Sequence, residues 1–301
     1  MRMHRVGGEI IVQAPAKLNL FFEVLAKRED GFHEIETLMC PIDLYDTLYF
    51  QKETTGQLEL KCERVGSDGL DDESLDELPE GRDNIVVQAV ELLRRRSGVS
   101  AGATLRLVKR IPTAAGLGGG SSDAAAALVA ANEAWNLGLS PARLAVVAAE
   151  LGSDVPFFLG SGPAVCRGRG ERIEPVSVPS VLHAVVVRPP AGLSTAEVYK
   201  ACRPAVRPKS LAPLLEALSQ GDMRRAGRLL FNRLEPVAAG LSPWIETLQR
   251  AMAREDCLGH GMSGSGTSYF GICRHAEQTQ RVARRLQASG VGSVFAVRSC
   301  R

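Results

Sequence analysis

Apolar and polar positions along the first third of the chain follow patterns that predict β-strands. Residues 9–25, EIIVQAPAKLNLFFEVL, are rich in Ile, Val, Leu and Phe, which favour extended structure. The segments 43–51, DLYDTLYFQ, and 56–65, GQLELKCERV, alternate with a period of two and predict antiparallel strands. The segment 103–111, ATLRLVKRI, shows the same alternation, which predicts another strand that ends at its last residue.

Two segments in the first half have the period of amphipathic helices. Residues 83–98, DNIVVQAVELLRRRSG, place apolar side chains on one face, with Asp83 or Asn84 as the N-cap and a glycine at the end. Residues 140–152, SPARLAVVAAELG, begin with a serine cap and a proline and end with a glycine. The acidic, turn-rich stretch 67–83 predicts an exposed loop.

Strands and helices are mixed in the second half. The predicted elements are a buried strand over 179–190, a loop over 203–213, helices near 211–220, 222–232 and 242–255, and a strand, a helix and a strand over 266–274, 276–290 and 292–300. Because strict βαβ alternation is missing, this order favours an α+β fold over a doubly wound sheet. The 301 residues fit two domains, which we predict at 1–170 and 171–301.

Composition narrows the class of protein. The 36 basic and 34 acidic side chains give a net charge of +2, which provides no field for binding nucleic acid or an anionic membrane. The seven cysteines include no Cys-x-x-Cys, so we expect reduced thiols in a cytoplasmic protein rather than a disulfide framework or a zinc site. No apolar run approaches the roughly 20 residues that span a bilayer.

The most informative segment is 111–128, IPTAAGLGGGSSDAAAAL, where a Gly-rich turn lies between a strand and a helix expected to begin at Ser121 or Ser122. Glycines allow the backbone to approach a ligand closely, and the first amides of a helix bind anions. A Walker A loop is excluded because no lysine follows the glycines, and the dinucleotide fingerprint is excluded because Ser121 occupies its last glycine position. The alternative to a phosphate site is a close-packed turn with serine caps.

Three segments in the same order resemble the motifs of the GHMP kinases, a family named after galactose, homoserine, mevalonate and phosphomevalonate kinases. They are PAKLNLFFEV at 15–24, the Gly-rich segment at 112–122, and GMSGSGTSYFGI at 261–272. The resemblance implies the two-domain GHMP fold, in which the N-terminal half is similar to ribosomal protein S5 domain 2 and the C-terminal half is ferredoxin-like.

The resemblance also implies transfer of a phosphoryl group from ATP to an alcohol, with Mg²⁺ held mainly by ATP and water and no dedicated set of protein metal ligands. The residues implied to bind ATP are Pro112, Thr113, Ala114, Ala115, Gly116, Leu117, Gly118, Gly119, Gly120, Ser121 and Ser122. Ser122 is the candidate protein contact to the metal.

Two catalytic residues follow from the resemblance. Asp154 would accept the proton of the hydroxyl group, although its local sequence taken alone favours a helix N-cap before Pro156. Lys17 would lie near the reacting hydroxyl, although a lysine there is also typical of a protein surface. Asn19, two residues further on the same strand, faces the same side and would bind the hydroxyls of the substrate.

KREDGFHEIETLM, at 27–39, is similar to the substrate segment of GHMP kinases that phosphorylate a tertiary hydroxyl of a cytidine-diphosphate-linked methylerythritol. The resemblance implies that Phe32, where the family usually has Tyr, and His33 bind the cytosine, with Thr195 and Tyr199 closing over the cytidine. The alternatives are another small-molecule GHMP kinase, of the homoserine or mevalonate type, and a non-catalytic GHMP-like sensor. We expect a monomer or a weak homodimer that binds ATP and a small molecule.

Overall fold

The computed structural model describes residues 1–65, 79 and 81–300. Most of the exposed loop predicted over 67–83 lies outside the described residues. Helices and strands occur in mixed order, which confirms the α+β class. Among the helices of the described chain, none combines the length and the hydropathy needed to cross a membrane.

Strands and helices are numbered in chain order. The strands are β1 (Arg2–Val6), β2 (Glu9–Lys27), β3 (His33–Glu53), β4 (Leu58–Arg64), β5 (Gly102–Lys109), β6 (Ala164–Gly168), β7 (Arg172–Pro175), β8 (His183–Arg188), β9 (Phe231–Asn232), β10 (Gly259–Met262), β11 (Tyr269–Cys273) and β12 (Ser293–Arg298). The helices are α1 (Ile85–Ser97), α2 (Gly119–Ala134), α3 (Pro141–Leu151), α4 (Thr195–Ala201), α5 (Ala212–Ser219), α6 (Met223–Arg228), α7 (Glu235–Leu241), α8 (Pro243–Ala253) and α9 (Ala276–Ala288).

The chain divides into two compact units that are discontinuous in sequence. The first unit consists of Met1–Ala16, Leu44–Thr113 and Gly118–Ser161. The second consists of Lys17–Asp43, Ala114–Leu117 and Gly162–Arg301. The domain limits 1–170 and 171–301 stay a prediction.

In the first unit, the later part of β3 pairs with β5 in antiparallel orientation, and β5 pairs with β4 in parallel orientation. The strands predicted at 43–51 and 56–65 are therefore antiparallel in direction, but β5 lies between them. The connection from β4 to β5 runs through α1, as a parallel pair requires a crossover. Asn84 caps α1 by accepting a 2.9 Å hydrogen bond from the Val86 amide, and Gly98 ends the helix in the left-handed region, as predicted.

In the second unit, a four-stranded antiparallel sheet has the order β10-β11-β8-β12. Helices α8 and α9 pack against it, and Val185, Tyr269 and Leu286 belong to its buried core. The strand, helix and strand predicted at the C-terminal end are confirmed. The helix predicted over 222–232 is shorter, because the last residues of that segment form β9 and pair with Phe21 and Phe22 of β2.

Candidate active site

The Gly-rich segment 112–122 has the backbone of a ligand-binding turn. Ala114, Gly116 and Gly118 all have positive φ, and only glycine adopts this region at little cost. A Cβ on Gly116 would lie 2.1 Å from the carbonyl oxygen of Ser263, so no other residue fits there. The peptide of Gly116 is thus in direct contact with the third glycine motif.

Helix α2 begins at Gly119, not at Ser121 or Ser122 as the sequence predicted. Gly118, with φ of +71°, occupies the N-cap position, and its carbonyl accepts a 2.9 Å hydrogen bond from the Ser122 amide. The serines are therefore inside the first turn instead of capping it, because the left-handed glycine reverses the chain earlier. The first amides of α2, at Gly119, Gly120 and Ser121, lack partners within the helix and are free to bind an anion.

Two buried polar atoms in the first turn of α2 have no hydrogen-bond partner among the described residues: Ser122 Oγ and Asp123 Oδ1. The other oxygen of Asp123 accepts a 2.6 Å hydrogen bond from the buried ammonium of Lys109. Burial raises the pKa of Asp123 well above its usual value, and nearby Asp46 raises it further, against the opposing charge of Lys109. Buried polar groups normally have a partner, so these two oxygens mark a place where an oxygen-seeking ligand fits.

Lys109 also forms an ion pair with Asp46 of β3. Burial acts to lower the pKa of Lys109, but its two carboxylate partners raise it on balance, so the ammonium stays charged. Asp46 in turn accepts hydrogen bonds from the amides of Arg110 and Ile111, at 2.6 and 2.9 Å. This cluster joins β3, the end of β5 and the start of α2, and so fixes both ends of the glycine-rich turn within the first unit.

Lys17 and Asn19 lie on the same side of β2, and both are buried, at 3% and 2% exposure. The ammonium of Lys17 donates to Asn19 Oδ1 and, at 2.8 Å, to the carbonyl of Gly116. The side-chain amide of Asn19 donates to Thr37 Oγ1 at 2.8 Å, which fixes the orientation of the side chain. The structure therefore brings three of the predicted site residues together, and Lys17 is not a surface lysine.

The third motif forms a loop, Ser263 to Gly266, that packs against this group. Ser263 Oγ donates to the Gly116 carbonyl at 3.0 Å and accepts from the backbone amide of Asn19 at 3.3 Å. A Cβ on Gly264 would lie 3.2 Å from Lys17 Nζ. The loop thus packs directly against the Lys17 ammonium, which explains the need for a small residue at Gly264.

Asn232, which the sequence analysis did not single out, holds this loop in place. Its side-chain amide donates to the carbonyls of Met262 and Gly264, both at 2.8 Å, and its oxygen accepts from the Leu234 amide at 2.9 Å. Thr195 is linked to the same loop, because its hydroxyl lies 2.8 Å from Ser265 Oγ. The structure therefore places Thr195 beside the third motif.

The predicted base-binding residues also come together. His33 is buried, and its ring centre lies 5.3 Å from that of Tyr199 on α4. Burial lowers the pKa of His33, and the charge of Lys27 lowers it further, so its ring is neutral at neutral pH and can both donate and accept a hydrogen bond. Phe32 is 50% exposed, which is unusual for a large apolar ring and leaves it open to a ligand.

Asp154 follows α3 in the first unit and precedes the short 3₁₀ helix Pro156–Leu159. The N-cap residue of that helix is Val155, whose side chain makes no capping hydrogen bond. The interpretation of Asp154 as a helix cap, which the local sequence allowed, is therefore wrong. Its catalytic role stays a prediction.

Comparison with known proteins agrees with these motifs. The family model described as "GHMP kinases N terminal domain" matches residues 84–162, and the one described as "GHMP kinases C terminal" matches residues 214–292. A homoserine kinase structure from Cytophaga hutchinsonii aligns with a TM-score of 0.74 at 20% identity, covering 98% of this chain and 96% of its own, which shows a common fold.

Two further relatives are more similar in sequence. A 4-diphosphocytidyl-2-C-methyl-D-erythritol kinase from Pelotomaculum thermopropionicum is 46% identical over 92% of this chain and 93% of its own. A crystal structure of 4-(cytidine 5'-diphospho)-2C-methyl-D-erythritol kinase aligns with a TM-score of 0.81 at 34% identity, covering 97% of this chain and 99% of its own. The chain therefore belongs to the GHMP kinases and, within them, to the family of the 4-diphosphocytidyl-2-C-methyl-D-erythritol kinases.

Proposed function

We propose that the chain transfers the γ-phosphoryl group of ATP to the 2-hydroxyl of 4-diphosphocytidyl-2-C-methyl-D-erythritol, as a cytoplasmic enzyme of the non-mevalonate route to isoprenoid precursors. One observation carries the proposal. The buried ammonium of Lys17 contacts Asn19 on one side and the carbonyl of Gly116, in the Gly-rich segment, on the other. A cation is thereby fixed beside the turn whose backbone suits a phosphate.

Phosphoryl transfer depends mainly on positioning the groups and on neutralising the charge of the phosphoryl group in transit. The segment 112–122 would bind the phosphates of ATP through the open amides of the first turn of α2, where the helix dipole adds positive charge. Lys17 would supply a full positive charge near the acceptor hydroxyl. Asn19 and the Gly116 carbonyl help to hold the ammonium in one place, so little reorganisation is needed when the phosphoryl group moves.

The start of α2 also suits the Mg²⁺ ion that accompanies ATP. Mg²⁺ prefers hard oxygen ligands and keeps several waters, and Ser122 Oγ and Asp123 Oδ1 are buried oxygens without a partner among the described residues. Ser122 would hold the ion, with Asp123 beside it, and ATP and water would complete its shell. When bound, the ion neutralises charge on the phosphates.

The acceptor hydroxyl must lose a proton, and Asp154 would accept it. Asp154 is not the N-cap residue of the 3₁₀ helix Pro156–Leu159, because Val155 holds that position. Asn19, oriented by Thr37, would hold the neighbouring hydroxyls of the acceptor so that one of them faces the phosphoryl group. Proximity of this kind accounts for a large part of the rate in bimolecular group transfer.

The cytidine would bind at His33, Phe32 and Tyr199. A neutral histidine ring suits cytosine, which offers both a donor and an acceptor on its edge, and the aromatic rings provide stacking surface. Thr195, held by Ser265, would bind at the same end of the acceptor. A monomer or weak homodimer stays our expectation for the assembly.

The test is a coupled assay of ADP release with a panel of alcohols. We expect turnover with 4-diphosphocytidyl-2-C-methyl-D-erythritol and little with homoserine or mevalonate, because neither of the latter has a base to occupy the His33–Tyr199 site. Preference for homoserine or mevalonate would indicate the other small-molecule kinase. Binding without turnover would indicate a sensor.

A further inference from the structure

Arginines crowd the β6–β7 hairpin, and two of them are neutralised by carboxylates. Arg167 donates to Glu36 at 2.8 Å and to Glu174 at 2.7 Å. Arg172 forms an ion pair with Glu34. Both positive charges therefore have negative partners within the protein, and neither is available to attract a charged ligand.

Arg169, in the turn of the same hairpin, is in a different environment. Its guanidinium carbon lies 4.9 Å from the centre of the Phe32 ring. Across the part of the chain that the structure describes, no carboxylate lies within ion-pair distance of the Arg169 guanidinium. The carboxylate of Asp30 is further away and already accepts hydrogen bonds from Arg28 and from the Phe32 amide, both at 3.1 Å. Arg169 thus carries a positive charge that acts on the exposed carboxylate of Asp30 at longer range, where it helps to lower the pKa of Asp30, but that is held in no direct ion pair among the described residues.

The backbone of the turn fixes the position of Arg169. Gly168 has φ of +75°, and the carboxylate of Glu171 occupies the space that a Cβ on Gly168 would need, 2.6 Å away. The same carboxylate accepts a 2.6 Å hydrogen bond from the Arg169 amide. The Gly170 amide closes the turn by donating to the Arg167 carbonyl at 3.1 Å. The side chain is therefore presented from an ordered turn.

The ring under Arg169 belongs to the proposed base-binding group. Phe32 is followed directly by His33, whose ring faces Tyr199. We propose that the Arg169 guanidinium binds the diphosphate of the nucleotide-linked acceptor while this guanidinium lies over the Phe32 ring. This inference rests on the proposed function, because only a cytidine-diphosphate-linked acceptor carries a diphosphate next to the base.

The chemistry of the two groups matches. A guanidinium offers a planar fork of N–H donors that suits the oxygens of a phosphate, and stacking on an aromatic ring leaves these edge donors free. Phe32 has no hydroxyl that could bind a phosphate, so in this chain Arg169 supplies the polar group at that ring. Its contribution is to affinity for the acceptor and not to the chemical step.

The test compares two competitive inhibitors, cytidine diphosphate and cytidine, on the intact enzyme and on Arg169→Met. Arg169→Met removes a hydrogen bond to a charged group only when the inhibitor carries the diphosphate. We therefore expect the inhibition constant of cytidine diphosphate to rise about 10- to 100-fold in this variant. The inhibition constant of cytidine and the kcat for the acceptor should stay the same. Arg169→Lys, which keeps the charge but not the fork, should give an intermediate loss.

Arg172→Met is the matched control, since it removes an arginine that is already paired on the same hairpin. It should leave the inhibition constants of both compounds unchanged. Equal losses for cytidine and cytidine diphosphate in folded Arg169→Met would mean that the arginine only supports Phe32, and would overturn the inference, as would no loss at all. The unaltered enzyme tests the proposed function separately: if it neither turns over the acceptor nor binds cytidine diphosphate, both proposals fail together.

Discussion

Asp154 is the side chain on which the proposed proton transfer depends. The substitution Asp154→Asn keeps its shape and removes no helix cap, because Val155 occupies that position. It does remove the charge and the proton acceptor. General-base catalysis contributes about 10²- to 10⁴-fold, so we expect kcat to fall by that factor while the Kd of the acceptor is unchanged. Steady-state kinetics and a binding titration on the folded variant measure both.

Glu150→Gln is a suitable control for this variant. Glu150 lies on α3, shortly before Asp154, and forms an exposed ion pair with Arg96 at 2.8 Å. Loss of an exposed pair has little effect on stability, and here we expect none on turnover. A folded Asp154→Asn enzyme with the kcat of the unaltered chain would remove Asp154 from the mechanism.

The buried carboxyl of Asp123 should make stability depend on pH. Burial raises its pKa, so the folded chain holds a proton that the unfolded chain has released. The free energy of unfolding then falls as the pH rises from the ordinary carboxyl value of about 4 toward the raised value. Asp123→Asn abolishes this titration. Urea unfolding at about pH 5 and about pH 8 should therefore show a smaller decrease in stability for the variant than for the unaltered chain.

Asp256→Asn is the control for Asp123→Asn, because the pKa of Asp256 is lowered instead of raised. Asp256 is exposed, and a hydrogen bond from Gln278, followed by the effects of nearby arginines, lowers its pKa. It is ionised in both the folded and the unfolded chain across that pH range, so its substitution should change stability by the same amount at both pH values. If Asp123→Asn behaved in the same way as Asp256→Asn, Asp123 would be ionised in the folded protein.

Individual side chains of the site could be predicted from the sequence where they belong to a motif. Lys17 and Asn19 were found in this way, and their spacing placed them on one side of a strand. Asp46 and Lys109 were missed, although a signal existed: each occupies the apolar register of an alternating strand, in line with Leu48 and Leu107. A buried charge needs a partner, and two such charges on different strands are candidates to pair. Local sequence does not give the register that brings them together.

The loop from Ser263 to Gly266 is an element that the side-chain amide of Asn232 helps to hold, through the carbonyls of Met262 and Gly264. Asn232→Ser keeps a hydroxyl able to accept from the Leu234 amide but no longer reaches the carbonyls of Met262 and Gly264. Leaving buried polar groups unsatisfied costs about 1–3 kcal/mol of unfolding free energy. We also expect kcat to fall, because Gly264 packs against the Lys17 ammonium, and a displaced loop would no longer hold that ammonium in position. Urea unfolding and kinetics on the same preparation test both effects.

Glu235→Gln is the control that separates a loss of protein stability from a displacement of the Ser263–Gly266 loop. Glu235 accepts from the Met262 amide at 3.1 Å and from the Tyr269 hydroxyl at 2.8 Å, but it does not bond to Gly264. We expect this variant to lose stability with little change in kcat. An Asn232→Ser enzyme that is destabilised to the same degree and is equally active would show that the loop does not need Asn232 for its function.

The type of most elements could be predicted, but their partners and ends less well. Periodicity identified β4 as a strand, yet its neighbour is β5, because strand pairing depends on a crossover that the local pattern does not encode. The sequence predicts that α2 begins at Ser121 or Ser122, but a run of glycines does not show which of them is left-handed; Gly118 is, and it takes the N-cap position, so the helix begins at Gly119. The β9 strand was assigned to a helix since two residues are too few for a period.

The chain as a whole combines a common fold with local specificity. The homoserine kinase from Cytophaga hutchinsonii shares the fold at 20% identity, so the arrangement of elements alone does not select an acceptor. Selection must therefore lie in a few segments, and the residues proposed to bind the cytidine are confined to the 27–39 stretch and α4. The residues proposed to bind ATP are confined to 112–122.

Because the residues proposed to bind ATP and those proposed to bind the cytidine lie in separate segments, two substitutions should have reciprocal effects on the KM values of the two substrates. Gly120 has an ordinary helical backbone, and a Cβ there would meet nothing closer than 3.9 Å, from Ile85. The fold thus gives no reason for glycine at this position, and alanine favours a helix by about 1 kcal/mol. If the reason is close approach of a phosphate, Gly120→Ala should raise the KM for ATP and leave the KM for the acceptor unchanged, with equal or higher thermal stability. Tyr199→Ala should raise the KM for the acceptor alone. An unchanged KM for ATP in Gly120→Ala would mean that the first turn of α2 does not approach the nucleotide, and the Gly-rich segment would then be a close-packed turn.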